Sequence, residues 1–216
     1  MKNKIRFVLS AIVISIFLLT FFANCSKTPA PSEIALSYYD LIIKQDSQGL
    51  EALGMPSETA ASIISELKEN LTGQITNSLS IDSPTQVSKE QLESIQAAYF
   101  NALHKLNATA TFVQSGHCCE VTLSTTCLDF KALNEWATDH ALAQVDILNY
   151  IDKDLYLTDL TSTYIDYLVE AYENATPEAS KNEATFTFTK QNGLWLPEDY
   201  ESFITKLCEL IISNNN

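Results

Sequence analysis

Hydrophobic residues in the first half of the chain recur at the three- and four-residue spacing that is typical of amphipathic helices. The spacing predicts helices over 33–45, with Ser32 as the N-cap, over 57–75 and over 88–106. The third begins with Ser-Lys-Glu-Gln, a capping box. The apolar faces share large aliphatic and tyrosine side chains: Ile34, Tyr38, Leu41 and Ile42; Ile63, Ile64, Leu67 and Leu71; Leu92, Ile95, Tyr99 and Leu103. Residues 49–56 break this pattern and predict a loop.

Alternating apolar and polar residues then predict two pairs of strands. The segment 108–113 is β-like, Ser-Gly follows as a turn, and 118–129 is its predicted partner strand. Strict alternation over 184–189 precedes Asn-Gly at 192–193 and a second apolar run at 194–196. Because both turn residues tolerate positive φ, this second pattern predicts a hairpin. Its two phenylalanines should share one face and its threonines the other.

The helical period returns over 131–148 and 157–172, and it appears once more over 200–211. The order is therefore helices, a strand pair, helices, a hairpin and a helix. Helices that are largely segregated from antiparallel strands predict an α+β fold. The length suits a single domain over 32–212, with a short tail at 213–216.

The first 25 residues have the layout of an export signal. Basic residues at positions 2, 4 and 6 precede an uncharged stretch over 7–22, and Phe-Ala-Asn-Cys ends it at Cys25. This ending resembles a bacterial lipoprotein signal, in which the thiol receives a diacylglyceryl group and cleavage leaves the cysteine as a lipid-bearing N-terminus. The resemblance implies a signal peptide over 1–24, a tether over 25–31 and attachment to the extracytoplasmic face of the cell membrane.

Two residues depart from the usual lipoprotein pattern, and they leave two alternatives open. Phe22 stands where Leu is common, and Asn24 stands where Gly, Ala or Ser is common. The stretch 7–22 could instead remain as an uncleaved membrane anchor, or ordinary signal cleavage could release the chain. All three outcomes place the chain from about residue 30 onward outside the cytoplasmic membrane.

The charge distribution narrows the range of partners. Three of the 13 Lys and Arg residues lie in the first six positions, which leaves ten basic against 27 acidic residues and a net charge of −17. Such a chain has no basic surface with which to displace counterions from nucleic acid, so we expect no nucleic-acid partner. The charge also disfavours an electrostatic grip on anionic headgroups, so membrane attachment is expected to rest on the covalent lipid alone.

Four cysteines follow Cys25 in the exported part: Cys118, Cys119, Cys127 and Cys208. These four cysteines allow three full pairings, and the sequence leaves open whether they form disulfides or remain buried thiols. The first two are neighbours on a predicted strand, so they should face opposite sides. The spacing of the four cysteines matches no standard zinc pattern, and we expect neither a metal nor another cofactor.

Several short stretches together resemble the uncharacterised lipoproteins of Firmicutes-type bacteria. They are Pro-Ser-Glu-Ile-Ala-Leu at 31–36, Lys-Gln-Asp at 44–46, Leu-Gly-Met at 53–55 and Phe-Thr-Lys-Gln-Asn-Gly-Leu-Trp at 188–195. Those proteins are similar to the cystatin-like, nuclear-transport-factor-like roll. The resemblance implies a curved antiparallel sheet packed on helices, with the helices of 131–174 as an insertion. It brings no catalytic residues with it.

Aromatic residues are the candidates for a ligand site. Tyr38, Tyr99, Trp136 and Tyr164 lie on helices that could line the mouth of such a roll, although ordinary core packing explains the same residues more simply. The sequence contains no G-x-S-x-G, H-E-x-x-H or P-loop motif. We therefore expect a non-catalytic binding or accessory module for a small molecule or an envelope protein. An enzyme that uses the cone of the roll and a structural envelope protein remain alternatives.

Overall fold

The structure, a computed structural model, describes residues 29–80, 87–116, 118–191 and 194–213. The predicted signal peptide, Cys25 and the turn Asn192-Gly193 lie outside the described residues. The helices are α1 Pro31–Lys44, α2 Gln48–Ala52, α3 Ser57–Ser80, α4 Lys89–His104, α5 Phe130–Gln144, α6 Lys153–Asn174 and α7 Tyr200–Leu210. The strands are β1 Ala108–Ser115, β2 Cys118–Thr126, β3 Lys181–Gln191 and β4 Leu194–Pro197.

Contacts between residues group the described chain into two compact units. Unit 1 takes in the chain up to Leu67, residues 106–127 and residues 178–213. Unit 2 takes in residues 68–105 and 128–177. The helices that the resemblance treats as an insertion are thus grouped with an earlier helical segment. Whether they are an insertion into a single domain stays a prediction.

Unit 1 contains a curved, unclosed antiparallel sheet with the strand order β1-β2-β3-β4. Both predicted strand pairs form: Phe112 lies opposite Val121 in the first, and Gln191 lies opposite Leu194 in the second. The sheet packs on helices, with α1 against β1 and β2 and α7 against β3. The predicted α+β fold with a curved antiparallel sheet is therefore confirmed.

The pleat decides which side chains of the sheet enter the core of unit 1. Val121 and Leu123 on β2 are buried, and so are Phe186 and Phe188 on β3. The ring of Phe203 from α7 lies 4.7 Å from that of Phe186 and 5.7 Å from that of Phe188. The predicted inward face of the second hairpin is thus the face that α7 covers.

The first helix begins earlier than predicted, because another residue caps it. Ala30, not Ser32, is the N-cap, and its N–H donates to Glu33 Oε2 at 3.0 Å. Pro31 takes the first helical position, where its fixed φ and missing N–H suit a helix start. Pro31 therefore belongs to the helix and not to the tether.

The predicted loop over 49–56 contains the short helix α2, which packs against α1. Gly49 allows this approach, since a Cβ there would lie 2.6 Å from Ser37 Oγ. The helix α3 extends five residues past its predicted end. Periodicity marks which residues share a face, and it does not mark where a helix frays or ends.

Unit 2 is helical, and local capping hydrogen bonds set where its helices and turns begin. The predicted capping box of α4 is confirmed: Gln91 N–H donates to Ser88 Oγ at 3.1 Å, and Ser88 N–H donates to Gln91 Oε1 at 3.0 Å. α5 ends at Gln144, before its predicted end. Asp146 Oδ1 accepts from Leu148 N–H at 2.9 Å and starts a separate 3₁₀ turn, Ile147–Asn149. Within the described ranges, no helix is both long and apolar enough to cross a membrane.

Candidate functional site

The four predicted pocket aromatics do not come together around one site. Tyr38 is buried in unit 1, where its hydroxyl lies 3.2 Å from that of Tyr200 and burial raises its pKa well above the usual value. Tyr99 is buried in unit 2, in a ring cluster with Phe130 and Tyr172. Both tyrosines are therefore packed in a core, which was the alternative to their lining a ligand pocket.

The other two aromatics lie at the surface of unit 2. Trp136 is 37% exposed, and its ring centroid lies 4.0 Å from that of His140. Tyr164 is partly buried, its hydroxyl donates to Asn134 Oδ1 at 3.1 Å, and burial raises its pKa. Of the four predicted residues, Tyr164 is the one that the described part of the chain places in the wall of a sizeable pocket.

That pocket lies within unit 2 and has a volume of about 370 Å³. Its lining combines apolar side chains with hydroxyl groups: Ser78, Leu79, Thr138, Ala141, Leu142, Leu157, Leu160, Thr161 and Tyr164. The residues from α5 and α6 follow helical spacing, so each helix presents one face to the cavity. The volume lies at the low end of the range for ligand pockets, and this lining suits an uncharged, mainly apolar group.

Sequence reasoning missed most of this lining. The helical period over 157–172 predicts that Leu157 and Leu160 share an apolar helix face, but it indicates no pocket, and neither Thr138 nor Thr161 belongs to a predicted site. The available signal was the i, i+3, i+4, i+7 recurrence of Leu157, Leu160, Thr161 and Tyr164. That signal marks a shared face, but it does not distinguish a face that packs from one that lines a cavity.

The cysteines lie in distinct environments of unit 1. On β2, Cys118 is exposed and Cys119 is buried, as neighbours on a strand must be if one face is covered. The Cys127 thiol is buried and donates to Glu178 Oε2 at 3.5 Å. Burial raises the pKa of Cys119, and it raises that of Cys208 to about 12. A raised pKa leaves little nucleophilic thiolate at neutral pH. Disulfide pairing stays an open prediction.

A surface feature that the sequence did not single out extends from the 3₁₀ turn after α5 to the first turn of α6. Four large aliphatic side chains there are mostly exposed: Ile147 at 60%, Leu148 at 88%, Ile151 at 108% and Leu155 at 55%. We call these four residues the apolar tip. Large aliphatic side chains rarely concentrate at a solvent-facing connection, and a concentration of this kind is typical of a contact surface.

Nowhere in the described ranges do three or more His, Cys, Asp or Glu side chains come together in a way that could hold a metal ion.

Comparison with known proteins gives a likeness of fold. No protein-family model matches the chain, and no curated protein matches it either. Its structure is similar to the crystal structure of YcdA from Bacillus subtilis, a protein provisionally assigned as a lipoprotein, with a TM-score of 0.63 and 16% sequence identity. The match covers 85% of this chain and 56% of that one, so this chain spans little more than half the length of YcdA.

At this identity the likeness shows a shared fold. It agrees with the resemblance to Firmicutes-type lipoproteins at that level. The finer resemblance to the cystatin-like roll stays a prediction.

Proposed function

We propose that this protein is an exported lipoprotein, held by a diacylglyceryl group on Cys25 at the extracytoplasmic face of the cell membrane, where it acts as a non-catalytic binding or accessory module. The observation that carries the proposal is the N-terminal order of basic residues, the uncharged stretch 7–22 and then Cys25. The shared fold with YcdA, itself provisionally assigned as a lipoprotein, supports it.

The chemistry of the cavities supports binding rather than turnover. The pocket in unit 2 is lined by apolar side chains, hydroxyls and a tyrosine whose pKa is raised by burial. An enzyme that uses acid–base chemistry would need a carboxylate or histidine poised near neutral pH in its pocket. The cavity beside Trp195 in unit 1 has a volume of about 10 Å³, too small for a ligand.

The mass of the intact protein, extracted from membranes, tests the lipoprotein assignment. We expect the mass of the chain from Cys25 plus a diacylglyceryl group, and loss of that lipid in Cys25→Ala. Cys118→Ala is the matched control, because it removes an exposed thiol elsewhere and should keep the lipid. Full-length mass without lipid would instead make 7–22 an anchor, and an unlipidated chain in the medium would make the protein a secreted one.

A second candidate function is a structural role in the cell envelope, and the apolar tip favours it. Such a role needs an exposed apolar contact surface, and the tip provides four large aliphatic side chains. Replacing Leu148 and Ile151 together by Asp should then abolish an envelope association that the matched replacement Val113→Asp in unit 1 leaves intact. An association that both variants retain would remove this candidate.

A further inference from the structure

The exposed apolar residues of this protein are unevenly distributed. Among the described residues, the large hydrophobic side chains that remain exposed are Phe112, Val113, Trp136, Leu142, Ile147, Leu148, Ile151 and Leu155. The last four form the apolar tip, and they lie within nine consecutive positions of the chain. Three of these aliphatic side chains lie in the connection between α5 and α6 and the fourth in the first turn of α6, and in the described structure all four remain mostly uncovered.

The backbone of the tip is held in place by carboxylates. Asp146 Oδ1 accepts from Leu148 N–H at 2.9 Å, and Asp152 Oδ1 accepts from Asp154 N–H at 2.8 Å. The first of these bonds fixes the 3₁₀ turn and the second fixes the start of α6. The aliphatic side chains are therefore presented on an ordered turn, which lowers the entropy lost on contact.

Two tyrosines lie in the same segment as the tip. The rings of Tyr150 and Tyr156 meet edge to face at 5.5 Å, and the Tyr150 hydroxyl donates to Asp159 Oδ2 at 2.8 Å. Each ring combines an apolar body with a polar end, and such residues favour the boundary between hydrocarbon and water. Aliphatic residues at the end of a connection with tyrosines beside them match the polarity gradient of a bilayer interface.

The proposed N-terminal attachment points to the bilayer as the surface that covers the apolar tip. The described structure begins at Pro29, four residues after Cys25, and four extended residues span about 14 Å at most. A lipid on Cys25 therefore confines the folded chain to the membrane surface at high effective concentration. We propose that the apolar tip inserts into the interfacial region of the bilayer that anchors the protein, as a second membrane contact. This inference rests on the membrane attachment proposed above.

The charge around the tip sets the kind of bilayer that it should prefer. Between residues 139 and 159 the chain has five Asp residues and a single Lys, at position 153. Anionic headgroups repel such a segment, whereas zwitterionic headgroups do not. Burial of the aliphatic side chains thus favours insertion of the tip, whereas repulsion between its Asp residues and anionic headgroups opposes it. The same acidity, with a net charge of −17 over the exported part, disfavours a second copy of the chain as the occupant.

Depth-dependent quenching of tryptophan tests the proposal. The full chain is purified from membranes and reconstituted in phosphatidylcholine vesicles that contain brominated acyl chains. We expect Ile151→Trp to lose about half of its added emission, because the interface lies within about 10 Å of the hydrocarbon boundary. Val113→Trp is the control, an apolar site in unit 1 that is 73% exposed, and its added emission should be unchanged. Equal quenching in both variants, or in neither, overturns the proposal.

Lipid composition and oligomeric state distinguish the other occupants. The quenching of Ile151→Trp should weaken as phosphatidylglycerol replaces phosphatidylcholine, and quenching that strengthens with it would contradict the proposal. The added tryptophan could instead become shielded from solvent only when the protein concentration rises, or only when a basic helical peptide is present. Either result would mean that the tip docks on a protein, and it would refute the membrane contact.

The mass measurement separates failure of this inference from failure of the proposed function. A lipidated chain and an uncleaved anchor both keep the protein on vesicles, so the quenching result decides in either case. If the chain is released instead, its flotation with phosphatidylcholine vesicles is the test. The fraction of protein that floats with the vesicles should fall at least about tenfold when Leu148 and Ile151 are both replaced by Asp, because the variant loses two apolar side chains that would contact the bilayer. A released chain that does not float refutes the tip as a membrane contact.

Discussion

Unit 1 and unit 2 use their hydrophobic residues differently. In unit 1 the pleat of the sheet directs Phe186 and Phe188 toward Phe203, and the exposed large apolar residues among those described are Phe112 and Val113 on β1. In unit 2 a buried cluster around Tyr99 coexists with a pocket and with the apolar tip. Among the described residues, unit 1 thus leaves little large apolar surface exposed, whereas unit 2 leaves more of it exposed, at the apolar tip and beside the pocket.

The largest effect is expected in the core of unit 1. Phe188→Ala removes a fully buried ring and leaves a cavity beside Phe203, so the free energy of unfolding should fall by about 3–5 kcal/mol. Urea unfolding measures this in a Trp136→Phe background, where Trp195 reports on unit 1. Val113→Ala is the control and should change stability by about 0.5 kcal/mol or less. Similar losses in the two variants would contradict the comparison.

Alkaline pH should weaken unit 1 next. Burial raises the pKa of Tyr39 and that of Tyr200 to about 12, above the value of 10.0 for an exposed tyrosine. Because the folded state keeps these protons longer than the unfolded state, their contribution is complete below pH 10.0 and is lost as pH rises toward about 12. Each group accounts for about 2 kcal/mol or less. Urea midpoints measured across that window should fall, and a flat profile would refute the assignment.

A smaller effect is expected from one hydrogen bond in the same core. Thr125 is a fully buried polar residue, and its Oγ1 lies 2.7 Å from the Tyr39 hydroxyl. Tyr39→Phe removes this bond and should cost about 1–1.5 kcal/mol. Tyr150→Phe in unit 2 is the control, because its bond to Asp159 is only partly buried and should contribute less. A larger loss in the control would reverse the distinction between the units.

The smallest change in stability is expected at the apolar tip. Ile151 packs against nothing that shields it from solvent, so Ile151→Asp should alter the free energy of unfolding by about 0.5 kcal/mol or less. The same substitution should reduce the membrane contact proposed for the tip. Chemical unfolding checks the first statement, and the quenching of Leu148→Trp in brominated vesicles, compared with and without Ile151→Asp, checks the second. A destabilisation close to that of Phe188→Ala would mean that the tip serves the fold.

The local patterns of the sequence carried much of the fold. Alternation over 184–189 and Asn-Gly predicted the second hairpin, and the capping box at Ser88 predicted the start of α4. Helix ends were less accurate, since Ala30 rather than Ser32 caps α1. These successes and errors share one reason. Periods and caps are set by residues a few positions apart, whereas the end of an element depends on what packs beside it.

The candidate sites depended more on the tertiary structure. The sequence gathered Tyr38, Tyr99, Trp136 and Tyr164 as pocket residues, and the structure distributes them between two cores, a surface stack and a pocket wall. Each of these residues lies on a helix with an apolar face. Whether such a face is buried, lines a cavity or stays exposed depends on which distant segment covers it, and that segment leaves no mark in the local pattern.

By itself the sequence determined the acidic balance of the residues after Cys25, the α+β class and the faces that strand side chains share, and it predicted an export signal with Cys25 as the lipid acceptor. The tertiary structure alone decided the grouping into two units, the pocket in unit 2, which of Cys118 and Cys119 is buried, and the protrusion of the apolar tip. The first set follows from composition and from spacing along the chain. The second set depends on which surfaces remain uncovered once segments far apart in sequence have packed together.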